Sequence, residues 1–284
     1  VVSGVVPGGP IGKSVTHLVV GLIGGVRTVS NVPQPDCDPP PGGWGDPHLV
    51  TMDGLGYDIQ SVGEFDLVEA EDLNLAVQAR FAPWKTNRQV SVIDRIATDV
   101  NGFNVELDID NHVRVDGNPY QIEDGGILYF NGGAALMRDG DDLAIIWPKV
   151  DSDRAALRWS HGVVSMRVPE GVETSGLLGD NDGDPTNDLL TREGESADDV
   201  DSGYIHGWFA ESWRIEQQES RFTYAPGEST ETVSDRTFPS NAVQLSDFPA
   251  DELEDAMATC VDVEEGSARD GCALDILAVS YTHL

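Results

Sequence analysis

The side chains best suited to chemistry stand together in one stretch, Gly176-Leu177-Leu178-Gly179-Asp180-Asn181-Asp182-Gly183-Asp184-Pro185-Thr186-Asn187-Asp188-Leu189. Asp180, Asn181, Asp182, Asp184 and Asp188 supply five side-chain oxygen donors, and Asn187 a sixth. Carboxylates packed this densely repel one another, so bringing them together without a cation costs free energy. A hard cation that takes about six to eight oxygens, calcium above all, removes that cost. The alternative is a solvated acidic loop in a very acidic chain. Gly176, Gly179 and Gly183 with Pro185 favour a shaped path, because glycine supplies positive φ and proline fixes its own. The EF-hand spacing does not fit. With Gly183 at the sixth loop position, Leu178 falls at the first and Leu189 at the twelfth, where oxygen ligands belong. A site here uses another register and takes a ligand from elsewhere in the chain.

Other constellations carry less. Ser160, His161 and Ser165 lie close together and Asp is abundant, so a Ser-His-Asp triad is easily imagined. No G-x-S-x-G elbow accompanies them and the strand pattern is not α/β, so the neighbourhood is accidental. Gly8-Gly9-Pro10-Ile11-Gly12-Lys13-Ser14 ends like a phosphate loop, but the first glycine of that motif would fall on Pro7. Cys37, Cys260 and Cys272 are the three cysteines, too few for a disulfide-dense scaffold and too scattered for a zinc site.

The elements that must position these residues follow from composition and pattern. The 284 residues are a prior for one or two domains with a sizeable core. Fifty acidic against 17 basic residues give a formal net charge of -33. That sign excludes nucleic acid, anionic membrane surfaces and phosphate-rich substrates as natural partners, and suits cation binding. The most apolar early run, Leu18 to Val26, is too short and glycine-rich to span a bilayer. The chain starts with Val1, so it reads as an excerpt of something longer, in which any signal peptide is not shown.

Residues 1–43 read as a leading segment or linker, the end of a preceding β domain, with strands at 14–20 and 26–29. The run Asp38-Pro39-Pro40-Pro41-Gly42-Gly43 closes it, since consecutive prolines lack sheet donors. From 44 to 215 the pattern is mainly β. Apolar or alternating runs cover 64–68, 75–81, 90–100, 103–109, 113–115, 127–130, 143–147 and 163–168. Asn101-Gly102, Asp116-Gly117, Asn131-Gly132 and Asp139-Gly140 are hairpin turn signals between them. The fold class is an antiparallel β-sandwich with a small C-terminal α-helical hairpin. Residues 216–245 are polar and read as a linker or a loosely attached strand pair.

In the last segment, 246–284, the period changes. Leu253, Ala256, Met257, Cys260 and Val261 form a helical stripe, with Ser246 or Asp247 as cap and Pro249 near the first turn. A second helix covers Ala268 to Val279, with Cys272, Ile276 and Val279 on one face and Gly266 at the joint. Cys260 and Cys272 either staple this hairpin or remain two buried thiols. Residues 280–284 do not continue the pattern.

In three places the chain resembles the von Willebrand factor type D domain. Gly43-Trp44-Gly45-Asp46-Pro47-His48-Leu49-Val50-Thr51-Met52-Asp53-Gly54 is similar to that family's opening strand, the Gly176–Asp188 stretch to its calcium loop, and Phe209-Ala210-Glu211-Ser212-Trp213 to its closing strand. The resemblance implies an extracellular, β-rich, Ca2+-binding and non-enzymatic module that serves adhesion, assembly and multimer formation. Carried over residue by residue, it implies a metal set of Asp53, Asp180, Asp182, the Asp184 backbone carbonyl, Asn187 and Asp188. Asn181 stands where the family has an apolar or aromatic residue and is left out. Leu178 stands where animal members have a cysteine, so the usual disulfide there is missing. The cysteine-poor, acidic form resembles a microbial member. The helical tail resembles, more weakly, the cysteine-rich module that follows such domains, and the exported setting favours a Cys260–Cys272 disulfide.

The implied partners are other protein domains or extracellular matrix and surface components, with no nucleic acid and no membrane insertion in this segment. The implied location is secreted or cell-surface. A secreted enzyme carrying this domain is the alternative. The tetrapeptide Gly45-Asp46-Pro47-His48 matches a sequence at which some relatives cleave themselves. The Asp46 side chain would attack its own carbonyl, Pro47 would leave, and His48 would deliver the proton. The structural reading is that Pro47 sets the chain's angle, Asp46 caps a turn, and His48 packs beside the acidic loop.

Overall fold

The structure, a computed structural model, describes residues 40–45, 47–148, 154–196, 200–240, 245, 248–261, 263 and 267–281. The strands expected at 14–20 and 26–29, the Gly8–Ser14 run, Cys37, Asp46, the caps Ser246 and Asp247, Gly266 and residues 282–284 lie outside the described residues.

Three short strands come first, β1 (Gly42–Trp44), β2 (His48–Val50) and β3 (Gly56–Asp58). A meander follows of β4 (Gly63–Ala70), β5 (Leu75–Pro83), β6 (Ser91–Asp99), β7 (Asn104–Asp108), β8 (Val113–Val115) and β9 (Asn118–Tyr120). These six form one antiparallel sheet in chain order. The rest are β10 (Ile127–Tyr129), β11 (Ala135–Asp139), β12 (Asp142–Ile146), β13 (Ala156–Ser160) and β14 (Val163–Arg167). Strand β14 pairs with β1, so the second sheet has eight strands in the order β10-β11-β12-β13-β14-β1-β2-β3. Two antiparallel sheets make the protein mainly β, as the alternating runs imply.

Turn chemistry sets the meander. Asn101 and Gly102 have φ of 53° and 92°, and Asp116 and Gly117 have 49° and 74°, the paired positive values that tight hairpins need. The core lies between the sheets, where Phe65, Phe81, Trp159, Ile93, Ile96, Leu107, Leu136 and Leu143 are fully buried. Burying each such side chain contributes about 1.5–3 kcal/mol. Trp159 keeps its indole N–H satisfied by donating to the Asp108 carbonyl at 3.0 Å, which joins the two sheets.

The outer face of the six-stranded sheet is polar yet buried, with Glu64, Asp66, Gln78, Arg80 and Glu106 all largely inaccessible. The covering segment is 215–224, part of the stretch expected as a linker. Arg80 pairs with Glu64 at 2.6 Å and lies beneath the rings of Phe222 and Tyr224. Tyr224 also donates to Glu64, and the Arg221 amide donates to Gln78 at 2.8 Å. Further on, Arg88 pairs with Asp235 at 2.6 Å and Phe238 is buried. Residues 216–240 are therefore a docked strap and not a loose linker, because their polar side chains satisfy buried charges on the sheet.

The motif at 209–213 is also not a strand. A helical turn α1 (Ser202–Tyr204), a π-helical stretch Ile205–Phe209 and a second turn α2 (Ala210–Ser212) occupy this region. Asp201 caps it by accepting from the Tyr204 amide at 2.8 Å. Tyr204, Phe209, Ala210 and Trp213 turn into the core from one side, a helical recurrence.

After a short α3 (Thr230–Val233), the chain ends in α4 (Ala250–Thr259) and α5 (Ser267–Tyr281). Ala256, Cys260, Ala273 and Leu277 form their shared buried cluster, with Leu253, Met257, Cys272 and Ile276 packed on it. Val261 does not belong to that stripe. It is 61% exposed, because α4 stops at Thr259 and the helical period stops with it. Cys260 and Cys272 are bonded to each other, with Cα atoms 6.0 Å apart. The α5 helix lies against β3.

Candidate metal centre

The acidic loop is built onto the edge of β4. Leu177 and Leu178 donate their amides to the Asp66 and Leu67 carbonyls at 3.1 and 3.0 Å. Both leucine side chains are fully buried, so Leu178 fills with hydrocarbon the position where a cysteine was expected by resemblance. Thr174 then closes the loop, donating from its amide to the Asp180 carbonyl and from its hydroxyl to the Gly179 carbonyl, each at 2.8 Å.

Gly179 is required at its position. Its φ is +76°, and a Cβ there would come within 1.9 Å of the Asp188 carboxylate. Asn181, at φ 60°, turns its amide away from the acidic groups to the Val172 carbonyl at 2.7 Å, a structural role consistent with leaving it out of the ligand set.

Of the expected donors, three converge. Asp53, Asp180 and Asp182 each offer a carboxylate oxygen, and these lie within 4.8 Å of one another. Asp53 sits in the turn between β2 and β3, so a carboxylate from the opening motif does reach the acidic loop. The Asp182 amide donates to Asp53 at 3.0 Å and, more weakly, to Asp180 at 3.4 Å. Asn187 joins through its side-chain amide, which donates to Asp180 at 3.2 Å and to Asp182 at 3.1 Å. Its Oδ1 is buried and accepts no hydrogen bond.

Asp188 stands beneath the cluster and not within the converging trio. It is 2% exposed. One of its oxygens accepts from the Thr51 hydroxyl at 2.5 Å and the other from the Asp180 amide at 3.2 Å. Asp184 turns its side chain to Thr186, whose amide and hydroxyl donate at 3.0 and 2.6 Å. The Asp184 side chain is thus committed elsewhere, and its carbonyl accepts from the Asn187 backbone amide at 3.3 Å, with a second lone pair that could serve a cation.

Electrostatics mark the same place. Burial pushes the Asp188 carboxyl up to about 6, with repulsion from Asp53 and Asp180 adding to it against the Thr51 bond. Burial also raises Asp180, assisted by the charges of Asp182 and Asp53. Hydrogen bonds from Thr186 lower Asp184. Asp188 and Asp180 carry the mark of carboxylates gathered at a cost that a cation would relieve. The donor set fits a hard divalent ion: carboxylates, an amide oxygen and a carbonyl, with no thiolate or imidazole among them. The orphaned Asn187 oxygen fits too. Exchanging the Asn187 amide's O and N, which is isosteric, would aim that oxygen at the carboxylates, an arrangement that only a cation between them would favour.

Sequence reasoning missed Thr51, whose hydroxyl also accepts from the Leu55 amide at 2.8 Å and so shapes the turn that carries Asp53. A hydroxyl two residues before an aspartate in a glycine-bounded turn was the available signal. His48 lies at the far end of β2 from Asp53 and does not pack on the acidic loop. Its Nδ1 is 2.6 Å from Asp58, its register partner on β3. Of the tetrapeptide 45–48, Asp46 lies outside the described residues, and the Pro47 carbonyl accepts from the Ile59 amide at 3.1 Å. His161 sits in the turn between β13 and β14 at φ 49°, its Nδ1 3.0 Å from the Ile109 carbonyl, and it makes no triad with Ser160 or Ser165.

Residues 42–195 match the family model of the von Willebrand factor type D domain. That span holds every candidate ligand and ends before the helical turns at 202–212. The chain is similar to Sushi domain-containing protein 2 of Homo sapiens, 26% identical over 215 residues, covering 70% of this chain and 26% of that protein. It is also similar to otogelin of Homo sapiens, 26% identical over 207 residues, covering 67% of this chain and 6% of that protein. The chain thus spans about a quarter or less of the length of these relatives.

Proposed function

Because the chain belongs to the von Willebrand factor type D domain family, we propose that it is a non-enzymatic, calcium-binding structural module of a larger secreted or cell-surface protein. The observation that carries this reading is the convergence of Asp53, Asp180 and Asp182 within 4.8 Å of one another, with the Asn187 side-chain amide against Asp180 and Asp182. Asp53, Asp180 and Asp182 would hold the ion with their carboxylates, Asn187 with its amide oxygen and Asp184 with its carbonyl, while Asp188 completes the set from below. Calcium supplies positive charge there and nothing more reactive.

What the chain's own residues do is mechanical. Asp53 belongs to the β2–β3 turn, and the other ligands to the loop that follows β14, so holding one ion fastens two segments about 130 positions apart. The partners of such a module are other protein domains or extracellular matrix and surface components. Recognition of nucleic acid is disfavoured by the charge of -33. Among the described residues no helix is long and apolar enough to cross a membrane.

The test is thermal. An ion that binds only the folded state at a hundred times its Kd stabilises by about 2.7 kcal/mol, so calcium should raise the melting temperature and chelation lower it. Asp182→Ala should remove most of that difference. Equal melting temperatures in calcium and in chelator would overturn the reading.

A further inference from the structure

Resting on the calcium reading above, we propose that the acidic loop regulates the seating of the C-terminal helical pair, through the short ribbon β2–β3 that touches both. The ribbon is three residue pairs long, His48 opposite Asp58, Leu49 opposite Tyr57 and Val50 opposite Gly56. Its two ends meet different partners.

At the turn end, residues 51–55 carry Asp53 into the acidic loop and are fastened there three times. The Asp182 amide donates to Asp53 at 3.0 Å, the Thr51 hydroxyl donates to Asp188 at 2.5 Å, and the Met52 amide donates to the Leu178 carbonyl at 2.7 Å. In the middle, Leu49 is buried in the sandwich core and the Tyr57 hydroxyl donates to the Leu177 carbonyl at 2.6 Å. Displacing the turn therefore disturbs the whole ribbon, since packed side chains with fixed partners shift as a unit.

At the open end the ribbon meets α5. The His48 ring is buried, held by Asp58, and covered by the backbone of Gly271. A Cβ at 271 would lie 3.0 Å from the ring's Cγ and Nδ1, so the helix approaches this closely only because the residue is glycine. The helical pair keeps its own apolar cluster of Ala256, Cys260, Ala273 and Leu277, separate from the sandwich core. Among the described residues the helical pair meets the sheets chiefly where α5 lies on this ribbon, a small contact that responds to shifts in the His48–Asp58 end.

The two ends are coupled in a stated direction. Repulsion among Asp53, Asp180 and Asp182 loosens the turn when no cation is bound, and a bound cation fixes it, and with it the ribbon's register and the surface on which Gly271 rests. Coupling between sites is reciprocal, so a helix that fails to seat weakens calcium binding by the same factor.

The experiment is hydrogen exchange on the full chain, in calcium and in chelator, read peptide by peptide. Calcium should slow exchange in 180–188 and also, by about fivefold or more, in α5 at 267–281. In Gly271→Leu, calcium affinity from a titration should fall by about the same factor. Slower exchange in the loop with unchanged exchange in α5 would overturn the coupling while leaving the calcium reading standing. No change in either region would overturn both. Wild-type calcium affinity in a folded Gly271→Leu chain would overturn the coupling alone.

Discussion

Thr51 and Asp188 stand 137 positions apart, and the Thr51 hydroxyl donates to the Asp188 carboxylate at 2.5 Å in the buried floor beneath the acidic loop. The same hydroxyl accepts from the Leu55 amide at 2.8 Å, so one side chain both shapes the turn bearing Asp53 and holds the deepest carboxylate of the loop. A charge this enclosed needs its donors, because removing one leaves the oxygen with neither protein nor water. Thr51→Val keeps the shape and deletes the hydroxyl. It should cost about 1–3 kcal/mol of stability, while Thr51→Ser should retain most of it. Urea unfolding of the three chains checks this. A Thr51→Val chain as stable as the parent would show that the bond contributes nothing net.

The raised Asp188 carboxyl makes the metal-free chain pH-sensitive in a defined direction. Its folded value is about 6 against an ordinary 3.8, chiefly through burial. Below the ordinary value both folded and unfolded chains hold the proton, and Asp188 imposes no penalty. Between the two values the unfolded chain releases a proton that the folded chain keeps, so stability from this group falls as pH rises and levels off above about 6. Burial raises Asp180 in the same direction. A cation reverses the preference by favouring the ionised carboxylates. Melting temperatures in chelator should therefore drop from pH 4 to 6, more steeply than in Asp188→Asn, and the increment due to calcium should grow over the same window. A steeper drop in Asp188→Asn than in the parent would contradict the assignment.

Much of this was legible in the residues, for reasons that can be named. Asn101-Gly102 and Asp116-Gly117 bounded their strands because only residues at ease with positive φ close such hairpins. The strand Val113–Val115 falls where its apolar alternation puts it. By contrast β11 and β13 escaped notice. Ala135–Asp139 and Ala156–Ser160 are five residues long with one alanine and one arginine each, too short a pattern to mark a strand, and pairing with their neighbours decides them. The stretch 209–213 reads as a strand only through its resemblance to the family's closing strand. With Tyr204 and the Asp201 cap included, the recurrence is helical. The strap 216–240 looked like a linker because its contacts with the sheet are polar, and sequence alone does not show that Glu64 and Arg80 lie buried beneath Tyr224 and Phe222. At the acidic loop, Asp180 and Asp182 were legible from their types and order, and Asp53 only through the family resemblance. The supporting Thr51 was not, because a threonine's contribution depends on a partner far away in the chain.

The last prediction concerns the bridge between Cys260 and Cys272. The two residues are 12 positions apart and join the end of α4 to the second turn of α5. Closing a loop of that length in the unfolded chain is worth about 3 kcal/mol in the chain-entropy account. The small apolar cluster around Ala256 and Ala273 has little else to set against the entropy of ordering two helices. Reduction should therefore release the helical pair before the β-sandwich. Amides in 250–259 and 267–281 should exchange faster in reductant, while those of the central strands β5 and β6 keep their protection. Cys260→Ala combined with Cys272→Ala should behave like the reduced chain and be insensitive to reductant. Non-reducing peptide mapping should recover the linked peptides that carry Cys260 and Cys272. Free thiols at both positions in the native, unreduced chain would refute the bridge. Equal protection of α4 and α5 with and without reductant would show that the apolar cluster alone holds the helices together.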